Sequence, residues 1–195
     1  MVEDWSLVCL AYLGGSIPFG LLLSRCWGPG RLRETGSGNI GATNVLRTQG
    51  IPLGILTFLL DFLKGFLACK YLPCSTELAL CGLIAAPVLG HIFPLWLRGR
   101  GGKGVATYFG VLGALSMPAL IGSLLVWGVV FGITRISAVA SLTAMLLSCV
   151  FFYHLPSCSC NFINQLYVLM ALVLIIVLRH HDNLKRLLGG KESNL

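Results

Sequence analysis

Long runs of uncharged, mostly apolar residues restrict what this chain can fold into. A helix needs about 20 such residues to cross the hydrocarbon core of a bilayer. Only 11% of the residues are charged, against about 25% in an ordinary soluble domain. The sequence therefore predicts an all-α integral membrane protein. Five runs of 17 to 20 residues support this prediction, and they cover residues 5–24, 51–69, 78–97, 136–153 and 162–178. All five are uncharged except 51–69, which is apolar apart from Asp61 and Lys64.

A sixth region, residues 104–134, holds 31 uncharged positions, which is too many for one comfortable span. Pro118 lies near its middle, so two short helices meeting near Pro118 fit as well as one long kinked helix. The positive-inside rule favours two helices. With an outer N-terminus, a hairpin here places twelve of the 14 Lys and Arg residues on the inner side. We therefore predict seven transmembrane helices, with the N-terminus outside and the C-terminus cytoplasmic.

The net charge of +7 is compatible with nucleic-acid binding, but the placement of the cations favours a topology signal instead. No soluble domain or base-stacking aromatic pattern accompanies them. We expect membrane lipid as a partner and no nucleic acid. Glu3 and Asp4, rather than a basic segment, precede the first apolar run. This favours a retained span over a cleaved signal peptide.

The eight cysteines do not have the spacing of zinc ligands, so we expect no metal site. Most lie within the apolar runs, where a free cysteine behaves as a small apolar residue. Cys74, Cys158 and Cys160 fall on the predicted outer side. Whether a disulfide forms among these three is open.

A glycine-rich segment, residues 33–47, follows the first apolar run. Glycines let the backbone bend tightly and bring its N–H groups close to an anion. Arg47 adds a planar cation that suits a phosphate or carboxylate. A phosphate-binding segment and a flexible solvated turn are both compatible with this composition. The small and polar residues of interest are Gly36, Ser37, Gly38, Asn39, Gly41, Thr43 and Asn44.

A basic loop, residues 98–104, follows the third run and sets Arg98, Arg100 and Lys103 among four glycines. Positive-inside selection requires no glycines, so we favour anion binding over a loop that only sets topology. Backbone donors and Lys103 can then approach one anion together. Thr107 follows shortly after. The glycines placed beside the anion are Gly101, Gly102 and Gly104.

Polar residues within the runs are expensive in lipid and therefore informative. Asp61 and Lys64 lie three apart on one helical face, so an ion pair between them would offset part of the burial cost. The pair has either a packing or a functional role. His91 is either a packing residue or a base, and it lies just before the basic loop. Ser141 either bonds back to its own helix or joins these polar groups. Together the polar groups indicate an anionic substrate that approaches from the cytoplasm and has an apolar part in the bilayer.

At these positions the chain resembles the bacterial acyl-phosphate:glycerol-3-phosphate acyltransferases, the PlsY family. The resemblance covers nearly the whole chain, and the family's seven-span fold agrees with the topology predicted from charge. The matching stretches are AYLGGSIPFG (11–20), GSGNIGATNVLR (36–47), LDFLKG (60–65), GHIFPLWLRGRGGKGVAT (90–107), SAVASLTA (137–144) and RHHDNLKRLLGG (179–190).

The resemblance implies transfer of an acyl chain from acyl phosphate to the 1-hydroxyl of sn-glycerol 3-phosphate. The products are lysophosphatidic acid and inorganic phosphate, in the first step of phospholipid synthesis at the bacterial inner membrane. None of the four histidines is followed five residues later by Asp, so the H-x4-D motif of the other large acyltransferase family is absent. No cofactor and no obligate protein partner is expected.

Candidate site residues follow from the motifs and the resemblance together. We expect catalytic roles for Ser37, Arg47, His91 and Lys103. His91 would either orient a substrate or act as base, and a substrate phosphate oxygen is an alternative proton acceptor. The expected substrate-binding residues are Gly36, Gly38, Asn39, Gly41, Thr43, Asn44, Gly101, Gly102, Gly104, Thr107, Ser141, His180 and Asn183.

Two other classes of membrane protein remain as alternatives. A small organic-anion transporter also places cations near the ends of its spans, but it usually has inverted repeats or interrupted helices near the midplane. A structural membrane subunit requires none of the polar motifs. Substrate flux without chemical turnover would favour the transporter.

Overall fold

The structure, a computed structural model, describes residues 2–27, 30–155 and 162–192. All regular secondary structure in these ranges is helical, as predicted. A 3₁₀ turn, Leu95–Leu97, follows the fifth α-helix. The α-helices are α1 (Val2–Gly15), α2 (Phe19–Trp27), α3 (Ala42–Gln49), α4 (Ile51–Tyr71), α5 (Glu77–Ile92), α6 (Val105–Leu115), α7 (Met117–Thr134), α8 (Ser137–His154), α9 (Phe162–Leu178) and α10 (His181–Leu188).

Within the described ranges, five segments are long and apolar enough to cross a membrane. A sixth is present if α9 and α10, which meet at a bend of 53°, form one span. The remaining apolar helix, α6, has only 11 residues. The predicted runs at 51–69, 136–153 and 162–178 match α4, α8 and α9 closely. The five segments are Asp4–Trp27, Ile51–Tyr71, Glu77–Leu97, Met117–Thr134 and Ser137–His154.

The first apolar run forms two helices, because the chain leaves the helical path between Gly15 and Phe19. Pro18 has no N–H group and disfavours a helical conformation at Ile17. The N–H and hydroxyl groups of Ser16 both donate to the Tyr12 carbonyl, at 2.8 Å each, so the end of α1 stays hydrogen-bonded. The break therefore interrupts a candidate span that the sequence presented as one uncharged run.

Residues 104–134 form two helices that are separated at Ser116, which agrees with the two-helix alternative. Ser116 has an extended backbone, and its hydroxyl oxygen accepts a hydrogen bond from the Ala119 N–H at 3.3 Å. Pro118 lies in the first turn of α7, where its missing N–H costs no helical hydrogen bond. The two helices differ in length, with 11 residues in α6 and 18 in α7, because α7 begins after the Ser116 cap.

Contacts divide the chain between Ala114 and Leu115 into two compact units, which are described separately. In the first unit α1 packs on α5, and α3 packs on α4. A buried cluster packs Ile40 and Val45 of the glycine-rich segment against Leu21 and Leu32. This apolar support anchors that segment to the helices. In the second unit α7 packs on α8, and α8 packs on α9.

Candidate active site

Asn44 organises the glycine-rich segment from its centre. The side chain is 2% exposed, and its amide nitrogen donates to the carbonyls of Leu32, Thr35 and Asn39 at 3.1, 3.2 and 2.9 Å. Its amide oxygen accepts from the Ser37 N–H at 2.9 Å. The segment therefore has a specific hydrogen-bonded structure. The contact between Asn44 and substrate stays a prediction, because the amide is hydrogen-bonded to main-chain groups.

The glycines of this segment allow that arrangement. Gly36 has a φ of +60°, and a Cβ atom there would overlap the amide oxygen of Asn44. Gly38 also has a positive φ, +68°. Gly41 precedes the first turn of α3, and its N–H donates to the side chain of Asn39 at 3.1 Å. The glycines of the segment therefore lead into the N-terminus of α3, where backbone donors and the helix dipole favour an anion.

Thr43 and Arg47 lie four residues apart on the short helix α3, so their side chains are on the same face. Both are half-buried. Ser37 lies in the turn between the two positive-φ glycines, and its N–H is held by Asn44. The structure thus places Ser37 in the turn before α3, Thr43 in the first turn of α3 and Arg47 in its last turn.

The basic loop is held against the end of α5 by its own backbone. The N–H groups of Gly101 and Gly102 donate to the carbonyls of Ile92 and His91, both at 3.1 Å. A Cβ atom on Gly102 would overlap the imidazole of His91, so only glycine permits this approach. Gly104, with a φ of +91°, then leads into α6. Lys103 is half-buried between these glycines.

A hydrogen bond joins the two loops within the first unit. The guanidinium Nη2 of Arg33 donates to the Arg100 carbonyl at 2.6 Å. Because the acceptor is a main-chain oxygen, the contact fixes the backbone of the basic loop and leaves the Arg100 side chain exposed. Sequence spacing offered no signal for a link across 67 positions.

The predicted Asp61–Lys64 pair is present and includes His91 as a third member. Lys64 Nζ lies 2.8 Å from Asp61 Oδ1 and 2.8 Å from His91 Nδ1. The distance between His91 Nδ1 and Asp61 Oδ1 is 3.4 Å. The three side chains are at most 5% exposed. Lys64 also donates to the Ile17 carbonyl at 3.1 Å, in the break between α1 and α2. We call these three residues the buried charge cluster.

Thr107 lies on α6 and is fully buried. Its main-chain carbonyl contacts Gly65, directly after Lys64 on α4. In the part of the chain that the structure describes, its hydroxyl has no hydrogen-bond partner. The predicted role of Thr107 in substrate binding stays a prediction.

Ser141 belongs to the second unit, where it is buried on α8. Its hydroxyl oxygen accepts a hydrogen bond from Trp127 Nε1 on α7 at 3.1 Å. Because the oxygen accepts this bond, the hydroxyl hydrogen can be donated to another group. Trp127 could not be predicted as a partner of Ser141, because a tryptophan in an apolar run does not indicate a polar contact.

His180 and Asn183 lie at the junction of α9 and α10 in the second unit, and both are buried. His180 Nδ1 is 2.8 Å from the Ile176 carbonyl and donates to it. The Asn183 amide donates to the Glu192 carboxylate at 2.5 Å. Glu192 also accepts from Arg186 Nε at 2.7 Å. The contacts of Glu192 could not be predicted, because it lies after the last family motif, residues 179–190.

The contacts of the described cysteines and possible metal ligands bear on whether the chain has a disulfide or a metal site. The described cysteines, Cys74 among them, are free thiols. Cys158 and Cys160 lie outside the described residues, so the question of a disulfide stays open. Among the described residues, no group of three His, Cys, Asp or Glu side chains could hold a metal ion.

Comparison with known proteins identifies the family. A family profile of glycerol-3-phosphate acyltransferases matches residues 5–190. The chain belongs to that family. A glycerol-3-phosphate acyltransferase from Bartonella henselae is 43% identical, covering 98% of this chain and 91% of the relative. One from Pseudomonas entomophila is also 43% identical, covering 97% and 98%. This protein is therefore an acyltransferase.

The fold also matches solved structures of the PlsY branch. A crystal structure of PlsY (YgiH), an integral membrane glycerol 3-phosphate acyltransferase in its glycerol 3-phosphate form, superposes with a TM-score of 0.88. Its sequence is 38% identical, and the match covers 98% of this chain and 95% of that one. The lysophosphatidic acid form of that enzyme gives a TM-score of 0.86. The predicted PlsY resemblance is confirmed, as is the integral membrane class of the acyltransferase.

Replacing Asn44 by alanine is expected to damage both the structure and the activity of the acyltransferase. The change leaves three carbonyls and the Ser37 N–H without their partner, which costs about 1–3 kcal/mol of stability. Displacing the segment by about 1 Å costs about 100-fold in rate. Thermal unfolding in detergent and a rate assay measure the two effects.

Thr48→Ala is the matched control, because the Thr48 hydroxyl bonds only back to the Asn44 carbonyl on the same helix. It should be close to the parent protein in both assays. An Asn44→Ala protein with normal stability and normal rate would contradict the organising role of Asn44.

Proposed function

We propose that this acyltransferase moves the acyl chain of an acyl phosphate to the 1-hydroxyl of sn-glycerol 3-phosphate. The products are lysophosphatidic acid and inorganic phosphate, and the reaction begins phospholipid synthesis. Family membership supports the acceptor, since the related PlsY structure has glycerol 3-phosphate and lysophosphatidic acid forms. The observation that carries the proposal is that two glycine-rich cationic loops are joined within one unit by the Arg33–Arg100 bond.

Acyl phosphate is the donor that these residues suit best. It is a mixed anhydride, so its phosphate is already a good leaving group and no covalent enzyme intermediate is required. The acceptor oxygen bonds to the carbonyl carbon, the carbon–oxygen bond to phosphate breaks, and the phosphate leaves with the electron pair. The hydroxyl proton passes to a phosphate oxygen. The protein then holds two anions together and stabilises the charge on the carbonyl oxygen.

Each loop has a distinct role in this proposal. The glycine-rich segment holds the acyl phosphate with the N–H groups and small side chains around Ser37, Asn39 and Thr43. Arg47 and Lys103 stabilise the two phosphates and the developing negative charge. Ser141, His180 and Asn183 match the family motifs, and we assign them contacts with glycerol 3-phosphate.

We also propose seven membrane crossings, an outer N-terminus and a cytoplasmic active site in the bacterial inner membrane. The inner-side excess of Lys and Arg supports this topology. In this arrangement α6 and α7 cross separately and Arg135 lies in the cytoplasm. A membrane-impermeant thiol reagent tests it with Arg135→Cys in a cysteine-free background. Labelling from the periplasmic side of intact cells would contradict the topology.

Acyl transfer by the purified protein tests the proposed reaction. Palmitoyl phosphate and glycerol 3-phosphate, without added metal, cofactor or second protein, should give lysophosphatidic acid. A folded protein that yields none would contradict the proposal. Liposomes that take up glycerol 3-phosphate without forming product would support the transporter alternative instead.

A further inference from the structure

The ammonium group of Lys64 has three N–H donors and faces three acceptors. These are Asp61 Oδ1 at 2.8 Å, His91 Nδ1 at 2.8 Å and the Ile17 carbonyl at 3.1 Å. The ammonium donates hydrogen bonds to His91 Nδ1 and to the Ile17 carbonyl, while Asp61 Oδ1 supplies its counter-charge. The break between α1 and α2 contributes to this arrangement, because it frees the Ile17 carbonyl from a helix and directs it at Lys64.

This arrangement determines which hydrogen-bonding role His91 has. Lys64 has only donors, so a bond at 2.8 Å requires the Nδ1 atom of His91 to accept and carry no hydrogen. Asp61 and Lys64 already balance each other's charge. A second cation at His91 would lie beside the ammonium in a buried site, and Asp61 is farther from His91, at 3.4 Å, than from Lys64.

A neutral histidine that lacks a hydrogen on Nδ1 carries it on Nε2. The Nε2 atom is the atom of His91 nearest to where a Cβ on Gly102 would lie, so it faces the basic loop. We propose that Lys64 holds His91 as the neutral Nε2–H tautomer, which donates a hydrogen bond to an oxygen of the substrate held by the basic loop. His91 is then a donor and not the general base, and Lys64 is a positioning residue that acts through it.

The tautomer does not depend on the proposed reaction, whereas the part that His91 plays in acyl transfer does. The Asp61 carboxylate and the Lys64 ammonium, both on α4, contact His91, and Lys103 directly follows Gly102, which packs on the ring. From α1, the hydroxyl of Tyr12 approaches the same helix end and donates to the Phe93 carbonyl at 2.6 Å.

His180 provides an internal comparison in the same chain. Its Nδ1 is 2.8 Å from the Ile176 carbonyl, which only accepts, so Nδ1 must carry the hydrogen. The two histidines are therefore expected in opposite forms. In the neutral chain His91 carries its hydrogen on Nε2 and His180 carries it on Nδ1.

Nitrogen NMR of the purified protein, labelled with ¹⁵N-histidine and kept in detergent micelles, tests the tautomer directly. Histidine-to-glutamine variants assign the signals. From about pH 6 to about pH 9, His91 should show a protonated Nε2 and a bare Nδ1, while neutral His180 shows the reverse. An imidazolium or an Nδ1–H form at His91 would overturn the proposal. This result stands whether or not the protein transfers acyl groups.

Two substitutions at His91 test the donor role in the reaction. The amide nitrogen of glutamine can take the place of Nε2–H, whereas that of asparagine corresponds to Nδ1. We expect His91→Gln to stay within about 10-fold of the parent rate and His91→Asn to lose about 100-fold. The pH profile of the glutamine variant should match that of the parent. Equal and large losses in both folded variants would overturn the donor role.

Discussion

Replacing Lys103 by methionine is expected to lower the rate of acyl transfer at least about 100-fold without unfolding the protein. Methionine keeps an unbranched apolar stem of similar length, so packing between the loop glycines is preserved. The substitution removes one cation, which we propose stabilises the reacting phosphates. Initial rates of lysophosphatidic acid formation measure the effect, and thermal unfolding in detergent shows that the fold is intact.

Arg100→Gln is the control for Lys103→Met. Arg100 is a cation of the same loop, but its side chain is exposed and only its carbonyl bonds to Arg33. We expect its rate to be close to that of the parent. Arg47→Ala, in contrast, should be as inactive as Lys103→Met. Normal rates in Lys103→Met and Arg47→Ala would refute the anion site.

The second large effect is expected at Asp61. Replacing Asp61 by leucine leaves the Lys64 ammonium buried without its counter-charge, which costs about 3–5 kcal/mol. The variant should therefore unfold at a clearly lower temperature than the parent. Differential scanning fluorimetry in a mild detergent measures the midpoint.

The double variant Asp61→Leu with Lys64→Leu separates packing from function. Removing both charges should recover most of the lost stability, because leucine suits a buried site. The rate should stay low, since His91 has lost the donor that fixes its tautomer. A double variant that recovers rate together with stability would mean that the pair only serves packing. One that remains as unstable as Asp61→Leu would contradict the charge argument.

The all-α membrane class and most boundaries of the long apolar helices could be predicted, because lipid imposes a length and a composition on every crossing helix. The break at residues 16–18 could not, because all three residues are uncharged and an apolar run does not reveal a helix end. Pro18 alone does not mark a break, because a proline also fits in the first turn of a helix, as Pro118 does in α7. The boundary between α6 and α7 was placed near Pro118, but the cap at Ser116 determines it.

The sequence predicts candidate site residues one by one, but it does not predict the contacts between them. Motif composition identified the glycine-rich segment, the basic loop and the charged pair. That His91 joins the pair depends on how α4 packs against α5, which spacing does not encode. The same holds for Trp127 beside Ser141 and for Glu192 beside Asn183. Asn44, predicted as a substrate contact, has a backbone-organising role that only the folded segment reveals.

A comparison of acyl donors tests the central claim most directly. Purified protein receives radiolabelled glycerol 3-phosphate with palmitoyl phosphate, palmitoyl-CoA or palmitoyl-acyl carrier protein, each at the same concentration. We predict that only palmitoyl phosphate supports product, with one inorganic phosphate released for each lysophosphatidic acid formed. Equal or faster transfer from the thioester donors, or product without phosphate release, would contradict the claim.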